Sequence, residues 1–103
     1  GLAEPLRAAL EPFEAQIDEA FVFGSVAKGV DTHASDIDLI VVGDAPLLDI
    51  STTMLEAEKL LGRPVHLSLY GAQEWAQLKQ TDPVLAQISE ASKIRILPHA
   101  TPR

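Results

Sequence analysis

The stretch FVFGSVAKGVDTHASDIDLIVV, residues 21–42, contains two apolar runs separated by polar residues. The first run, residues 20–23, stops at Gly24 and Ser25, and the second, residues 37–42, is rich in β-branched side chains. Short apolar runs bounded by glycine or polar residues are typical of strands in a folded core. The stretch therefore predicts two strands, with a turn after the first and a polar loop before the second.

Two aspartates stand at the start of the second run, Asp36 and Asp38. Side chains two residues apart on a strand project from the same face, so the carboxylates are predicted to lie close together and share cations. Gly24 and Ser25 follow the other strand. A glycine there lets a phosphate approach the backbone, and the amides that open the next helical turn can donate to it.

The spacing of these residues is Gly24-Ser25, ten residues, then Asp36-x-Asp38. This signature resembles the DNA polymerase β-like nucleotidyltransferase superfamily, in particular its minimal nucleotidyltransferase branch. The resemblance implies that Gly24 and Ser25 hold a nucleoside triphosphate and that Asp36 and Asp38 hold Mg²⁺ or Mn²⁺. Lys28 is a candidate for an additional charge on the phosphates. His33, in the loop before the aspartates, is interpreted as a solvated residue.

The resemblance also implies a reaction, the transfer of a nucleoside monophosphate, in the usual case AMP from ATP, to an acceptor that the motif does not specify. Such transfers need positioning and charge neutralisation more than covalent chemistry. Two divalent ions about 3.5–4 Å apart serve the attacking hydroxyl and the triphosphate in two-metal sites. Asp36 and Asp38 are the predicted carboxylate ligands of those ions.

The segment RPVHLSLY, residues 63–70, departs from the pattern of active members of the superfamily. Those members place a third carboxylate on the strand after the long helix, whereas this chain has His66 there and no acidic residue between Arg63 and Tyr70. An imidazole suits magnesium poorly and brings no negative charge. His66 is therefore a doubtful third ligand, interpreted first as a polar residue on an open face, and we predict that transfer is slow or absent.

The composition indicates one globular domain. The chain has 103 residues, of which 47% are hydrophobic and 22% charged, and it contains no cysteine. Its formal charge of −7 argues against direct binding to nucleic acid by this domain alone. No apolar run approaches the roughly 20 residues that a membrane helix needs, and the absence of cysteine is compatible with the expected cytoplasmic location.

Outward from the central stretch, the patterns predict a mixed β-sheet packed against helices, an α/β or α+β domain in two layers. Residues 1–98 are predicted to form a single nucleotidyltransferase-like domain, and residues 99–103 a loose tail. Trp75 is interpreted as a core residue, and Asp82-Pro83 as the start of a helix that carries Val84, Leu85 and Ile88. Helices are predicted over residues 2–13, 47–61 and 71–80 and from residue 82, and strands over residues 17–23, 37–42, 65–70 and 93–97.

Two functions and one non-functional interpretation remain open at this point. The first is a metal-dependent nucleotidyltransferase, and the alternative is a catalytically weakened, nucleotide-binding regulatory or antitoxin-like domain. The third is a domain whose motif is vestigial. The superfamily that the chain resembles has members fused behind a winged-helix DNA-binding domain, and such a domain would precede Gly1 here. Other members are paired with HEPN-type proteins. Because so small a domain leaves its acceptor site incomplete, we expect a protein partner or a homo-oligomer.

Overall fold

Five α-helices, one 3-10 helix and four strands make up the part of the chain described by the structure, a computed structural model covering residues 1–32 and 35–99. His33 and most of the predicted tail lie outside the described residues. The elements in chain order are α1 (Ala3–Leu10), a 3-10 helix (Glu11–Gln16), β1 (Ile17–Phe23), α2 (Ser25–Lys28), β2 (Ile37–Gly43), α3 (Leu47–Leu61), β3 (Val65–Tyr70), α4 (Ala72–Thr81), α5 (Pro83–Glu90) and β4 (Ile94–Leu97).

The strands form one mixed sheet in the order β3-β2-β1-β4, which confirms the predicted sheet and the edge position of the last strand. Strand β1 pairs antiparallel with β2 and β4, and β2 pairs parallel with β3. The long helix α3 makes the crossover that a parallel pair requires. In this register Phe23 lies opposite Asp38, and Asp38 lies beside His66.

Helices cover both faces of the sheet, so the expectation of two layers was wrong. Helices α1 and α3 bury one face, which includes Val22 and Leu39. Trp75 of α4 and Leu85 of α5 pack on the other face, against Phe21 and Ile40. The physical reason is that β1 and β2 carry apolar residues at successive positions, and such strands need cover on both faces.

Local sequence signals explain where some of the helices begin and end. The Asp82 carboxylate accepts hydrogen bonds from the amides of Val84 at 2.9 Å and Leu85 at 3.3 Å, so it caps α5 as predicted. The predicted first helix is split, because α1 ends at Leu10 and a 3-10 helix containing Pro12 follows. Proline lacks an amide hydrogen and its ring crowds the preceding turn, so the α-helix does not continue through it.

The connection from α3 to β3 sets the position of His66. Gly62 ends α3 in the left-handed conformation, with φ 65°, and donates to the carbonyl of Glu58 at 2.8 Å. The Glu58 carboxylate accepts from the amide of Val65 at 2.6 Å. The end of the helix therefore holds the first residue of the strand. Within the described ranges, no helix is long and apolar enough to cross a membrane.

Gly43, at the end of β2, is the glycine whose replacement we expect to destabilise the fold most. A β-carbon there would lie 2.2 Å from the Gln16 carbonyl oxygen and 2.8 Å from Ile17 Cα, both of which are backbone atoms. We expect Gly43→Ala to lower the free energy of unfolding by about 2–3 kcal/mol, the upper part of the usual range for overpacking. Urea denaturation followed by circular dichroism measures this change.

Gly62→Ala is the matched control, because Gly62 also has a positive φ but a β-carbon there meets nothing within 4 Å. Its expected loss is about 1 kcal/mol, from the left-handed backbone alone. Equal losses for the two variants would show that the collision at Gly43 is relieved by backbone movement.

Candidate active site

The turn after β1 brings the Gly-Ser motif next to an aspartate. Gly24 has φ 78° and ψ −149°, a conformation that suits glycine, and its carbonyl accepts from the amide of Lys28 at 3.1 Å. A β-carbon on Gly24 would lie 2.9 Å from Asp38 Oδ2. Because glycine has no side chain, the Asp38 carboxylate approaches the backbone of the turn, and Ser25 begins α2 directly after this contact.

Asp38 is the polar exception in a strand that is otherwise buried, and its side chain is 34% exposed. It lies on the face of β2 that also carries Ile40, beyond the part covered by α4 and α5. Asp36 precedes the strand and is exposed. Among residues 1–32 and 35–99, no three His, Asp or Glu side chains gather into a group that could hold a metal ion. Joint metal binding by Asp36 and Asp38 therefore stays a prediction.

His66 lies beside Asp38 on the neighbouring parallel strand. Its Nδ1 is 3.6 Å from Asp38 Oδ1, and its side chain is 76% exposed. The structure thus brings the residue at the doubtful third position next to one of the two aspartates. The sequence pattern indicated the polar face for His66, but the contact depends on the register between β2 and β3.

A small cleft of about 140 Å³ adjoins Gly24 and Lys28. Its other wall belongs to α5, which contributes Val84, Gln87 and Ile88. Val84 is 65% exposed, whereas Leu85 of the same helix is buried and packs on the sheet. An apolar residue in the first turn of a helix gives no local signal of whether it faces the core or a cleft.

Arg63 holds the polar loop that precedes Asp36, a role that sequence reasoning missed. Its Nε donates to the Ser35 carbonyl at 2.9 Å, and its Nη2 lies 3.0 Å from Asp31 Oδ2. The second contact is a charge pairing without hydrogen-bond geometry, since this buried nitrogen has no hydrogen-bond partner among the described residues. The side chains of Arg63 and Asp31 are 12% and 24% exposed, so their pairing is partly shielded from water. Arg63 is thus a positioning residue for the loop.

Larger depressions lie away from the motif. One of about 310 Å³ is lined by Trp75, Lys79 and Lys93 among others, and one of about 650 Å³ runs along α3. Neither contains Gly24 or Asp38. The size of a depression therefore does not identify the candidate site. The site is identified by the close approach of the Asp38 carboxylate to the Gly24 turn. Trp75 is 4% exposed, which confirms that it is a core residue.

Solved structures similar to this chain share its fold. One is described as a toxin–antitoxin with AMP-PNP. It has a TM-score of 0.66 and 17% identity, and the match covers 94% of this chain and 73% of that chain. Another is described as a proposed minimal nucleotidyltransferase. It has a TM-score of 0.57 and 27% identity, with 84% and 85% of the two chains covered. No curated protein sequence matches the chain.

The glycine turn, the strand aspartate and the mixed sheet together define a domain of the nucleotidyltransferase class. The sequence matches the nucleotidyltransferase domain family over residues 5–96, which is most of its length. The chain belongs to this family, and the resemblance inferred from the motif is confirmed.

Proposed function

We propose that this chain transfers AMP from ATP to an acceptor, with the help of a divalent metal ion. The observation that carries the proposal is the contact between the Gly24 turn and the Asp38 carboxylate, in a chain that belongs to the nucleotidyltransferase domain family. A metal-bound triphosphate requires a phosphate-binding turn and a metal ligand side by side, and Gly24 and Asp38 are so placed.

The candidate residues have distinct roles toward the phosphates and the metal ion. Gly24 and Ser25 bind the outer phosphates through the backbone and the hydroxyl, and Lys28 adds a positive charge at the same cleft. Asp38, together with Asp36, holds the metal ion. The two carboxylates fit Mg²⁺, because Mg²⁺ at phosphate sites is bound by one or two carboxylates and completes its coordination with water and phosphate oxygens. The bound ion would supply charge neutralisation on the triphosphate.

The cleft beside Gly24 encloses only part of a nucleotide. Its volume of about 140 Å³ is below the roughly 300 Å³ at which ligand pockets usually begin. A second chain, either a partner protein or another copy, would complete the pocket and supply the acceptor. The toxin–antitoxin neighbour, whose description names both a pair of proteins and AMP-PNP, supports the proposal of a nucleotide and a protein partner.

A second candidate function is a weakened enzyme that acts as a regulatory or antitoxin-like binding domain. Two observations favour it. His66 stands where a carboxylate is expected, and α3 exposes Leu48 at 81% and Leu55 at 55%, which lie seven residues apart and so on one face of the helix. Large apolar side chains grouped on a surface are typical of protein interaction sites. This candidate shares the nucleotide site with the first and differs from it in lacking transfer.

Calorimetric titration with AMP-PNP, in MgCl₂ and separately in MnCl₂, tests the shared nucleotide site. Saturable binding with one nucleotide per chain is expected, and no binding in either metal would refute both candidates. Incubation with ATP labelled at the α-phosphate then separates them, since only the enzyme leaves labelled AMP on an acceptor protein. Candidate acceptors are proteins that co-purify with the chain, and the chain itself.

Replacement of Gly24 is expected to damage the site more than the fold. Gly24→Ala adds a β-carbon 2.9 Å from Asp38 Oδ2 and forces a non-glycine residue into φ 78°. We expect a stability loss of about 1–2 kcal/mol from the backbone and a loss of AMP-PNP affinity of about tenfold or more, worth at least roughly 1.4 kcal/mol. Thermal unfolding and calorimetry measure the two effects.

Gly29→Ala is the matched control for this prediction. Gly29 lies at the other end of α2 with φ 73°, and a β-carbon there meets nothing within 4 Å. The control should lose similar stability and keep its affinity for AMP-PNP. A similar loss of affinity in both variants would mean that strain in α2, and not the contact with Asp38, explains the effect.

A further inference from the structure

We propose that Asp38 and His66 together form a metal site that prefers a transition-metal ion, such as Mn²⁺, Co²⁺ or Zn²⁺, over Mg²⁺. The inference rests on the proposed function, since it concerns the metal of the same site. It assigns His66 as a ligand and makes this residue the determinant of metal choice. A nucleotide would then bind together with one of these ions.

The distance between the two side chains fits joint coordination. Nδ1 of His66 lies 3.6 Å from Oδ1 of Asp38. Ligand atoms that are each about 2.1 Å from one ion lie roughly 3.4 Å apart at a tetrahedral angle and roughly 3.0 Å apart at a right angle. A small rotation of either side chain brings both atoms into range. The 76% exposure of His66 leaves its imidazole room for that rotation.

The backbone holds the pair on rigid elements. Asp38 and His66 are direct neighbours in the parallel pairing of β2 with β3, and the flanking pairs are Ile37 with Val65 and Leu39 with Leu67. Ile37 and Leu39 are both fully buried. A site on packed strands is held more precisely than a site on loops, so the backbones of the two ligands are already in position and only a side chain has to turn.

The chemistry of the donors selects the ion. Imidazole nitrogen suits Zn²⁺ and Co²⁺ best and Mn²⁺ less, whereas Mg²⁺ prefers oxygen ligands in an octahedral arrangement and gives up its bound water reluctantly. His66 also offers no negative charge to Mg²⁺, unlike a carboxylate. Among the described residues no group of three or more such side chains is found, so water and phosphate oxygens can fill most of the coordination positions of the ion. The site is therefore open to a nucleotide.

Titration of the chain with CoCl₂, MnCl₂ and MgCl₂ in the presence of AMP-PNP tests the inference without any measurement of transfer. Visible absorption of Co²⁺ reports nitrogen coordination, and the ring resonances of His66 report the contact by NMR. We expect His66→Ala to weaken Co²⁺ and Mn²⁺ binding by about tenfold to a hundredfold and to change Mg²⁺ binding little. Losses of this size are seen even when a residue that only hydrogen-bonds to a metal ligand is replaced. His66→Asp should strengthen Mg²⁺ binding.

His99→Ala is the matched control, because His99 is an exposed histidine just beyond β4, at the opposite edge of the sheet from β3. It should leave all three metals unaffected. If His66→Ala binds Co²⁺ and Mn²⁺ as well as the unmodified chain does, and AMP-PNP still binds, the inference is wrong and the proposed function stands. If AMP-PNP binds with none of the three metals, the proposed function fails and the inference falls with it.

Discussion

Asp38→Ala is expected to remove metal-dependent nucleotide binding, with a loss of AMP-PNP affinity of at least about a hundredfold. The reason is that Asp38 takes part in both contacts that build the site, one with the Gly24 turn and one with His66. Mutation of residues that only hydrogen-bond to metal ligands lowers metal affinity by about 10- to 100-fold. Mutation of a direct ligand should therefore cost at least as much as the upper end of that range. Calorimetry with AMP-PNP in MnCl₂ and MgCl₂ measures the loss.

The fold should tolerate this substitution, because the Asp38 side chain is 34% exposed and, among residues 1–32 and 35–99, its charge is paired only with the exposed His66. Asp38→Asn keeps the shape of the side chain and should lose affinity as well, which separates charge from packing. Asp44→Ala is the control, since Asp44 is an exposed aspartate directly after the other end of β2. Unchanged binding by Asp38→Ala would remove Asp38 from the site.

His66→Asp is expected to raise Mg²⁺-dependent transfer by about 10²- to 10⁴-fold, the contribution typical of a positioned acid–base group. The new carboxylate would stand beside Asp38 in the same strand register, where it adds negative charge and can accept a proton from the acceptor hydroxyl. The assay uses ATP labelled at the α-phosphate with co-purifying proteins and the chain itself as acceptors. The unmodified chain is expected to transfer slowly or not at all with Mg²⁺.

Two results would contradict this expectation in different ways. Rapid Mg²⁺-dependent transfer by the unmodified chain that Asp38→Ala destroys would show that the third carboxylate is dispensable. Rapid transfer that survives Asp38→Ala would refute the metal-site mechanism. His99→Asp is the control for a general effect of added charge, and it should leave the rate unchanged because His99 lies beyond the far edge of the sheet.

The motif carries the identification because its parts are close in sequence. Gly24, Ser25, Asp36 and Asp38 lie within fifteen consecutive positions, and the family match over residues 5–96 confirms what they imply about the class. Their roles toward nucleotide and metal, the acceptor and the cytoplasmic location stay predictions. Helix ends were predictable in the same way, since the cap at Asp82 and the stop at Gly62 depend on atoms a few residues away.

By itself, then, the sequence determined the order of the elements, the mixed sheet and the identity of the motif, because hydrophobic period and turn chemistry act between neighbours in the chain. Tertiary structure alone decided that helices cover both sheet faces, that Arg63 reaches Ser35 across 28 positions, and that His66 stands 3.6 Å from Asp38. These contacts depend on strand register, which the packing of the whole sheet sets. The alternation of apolar and polar residues over 65–70 sets the face of His66, but a slip of two residues would keep that face and move His66 away from Asp38, and no local pattern in the sequence excludes that slip.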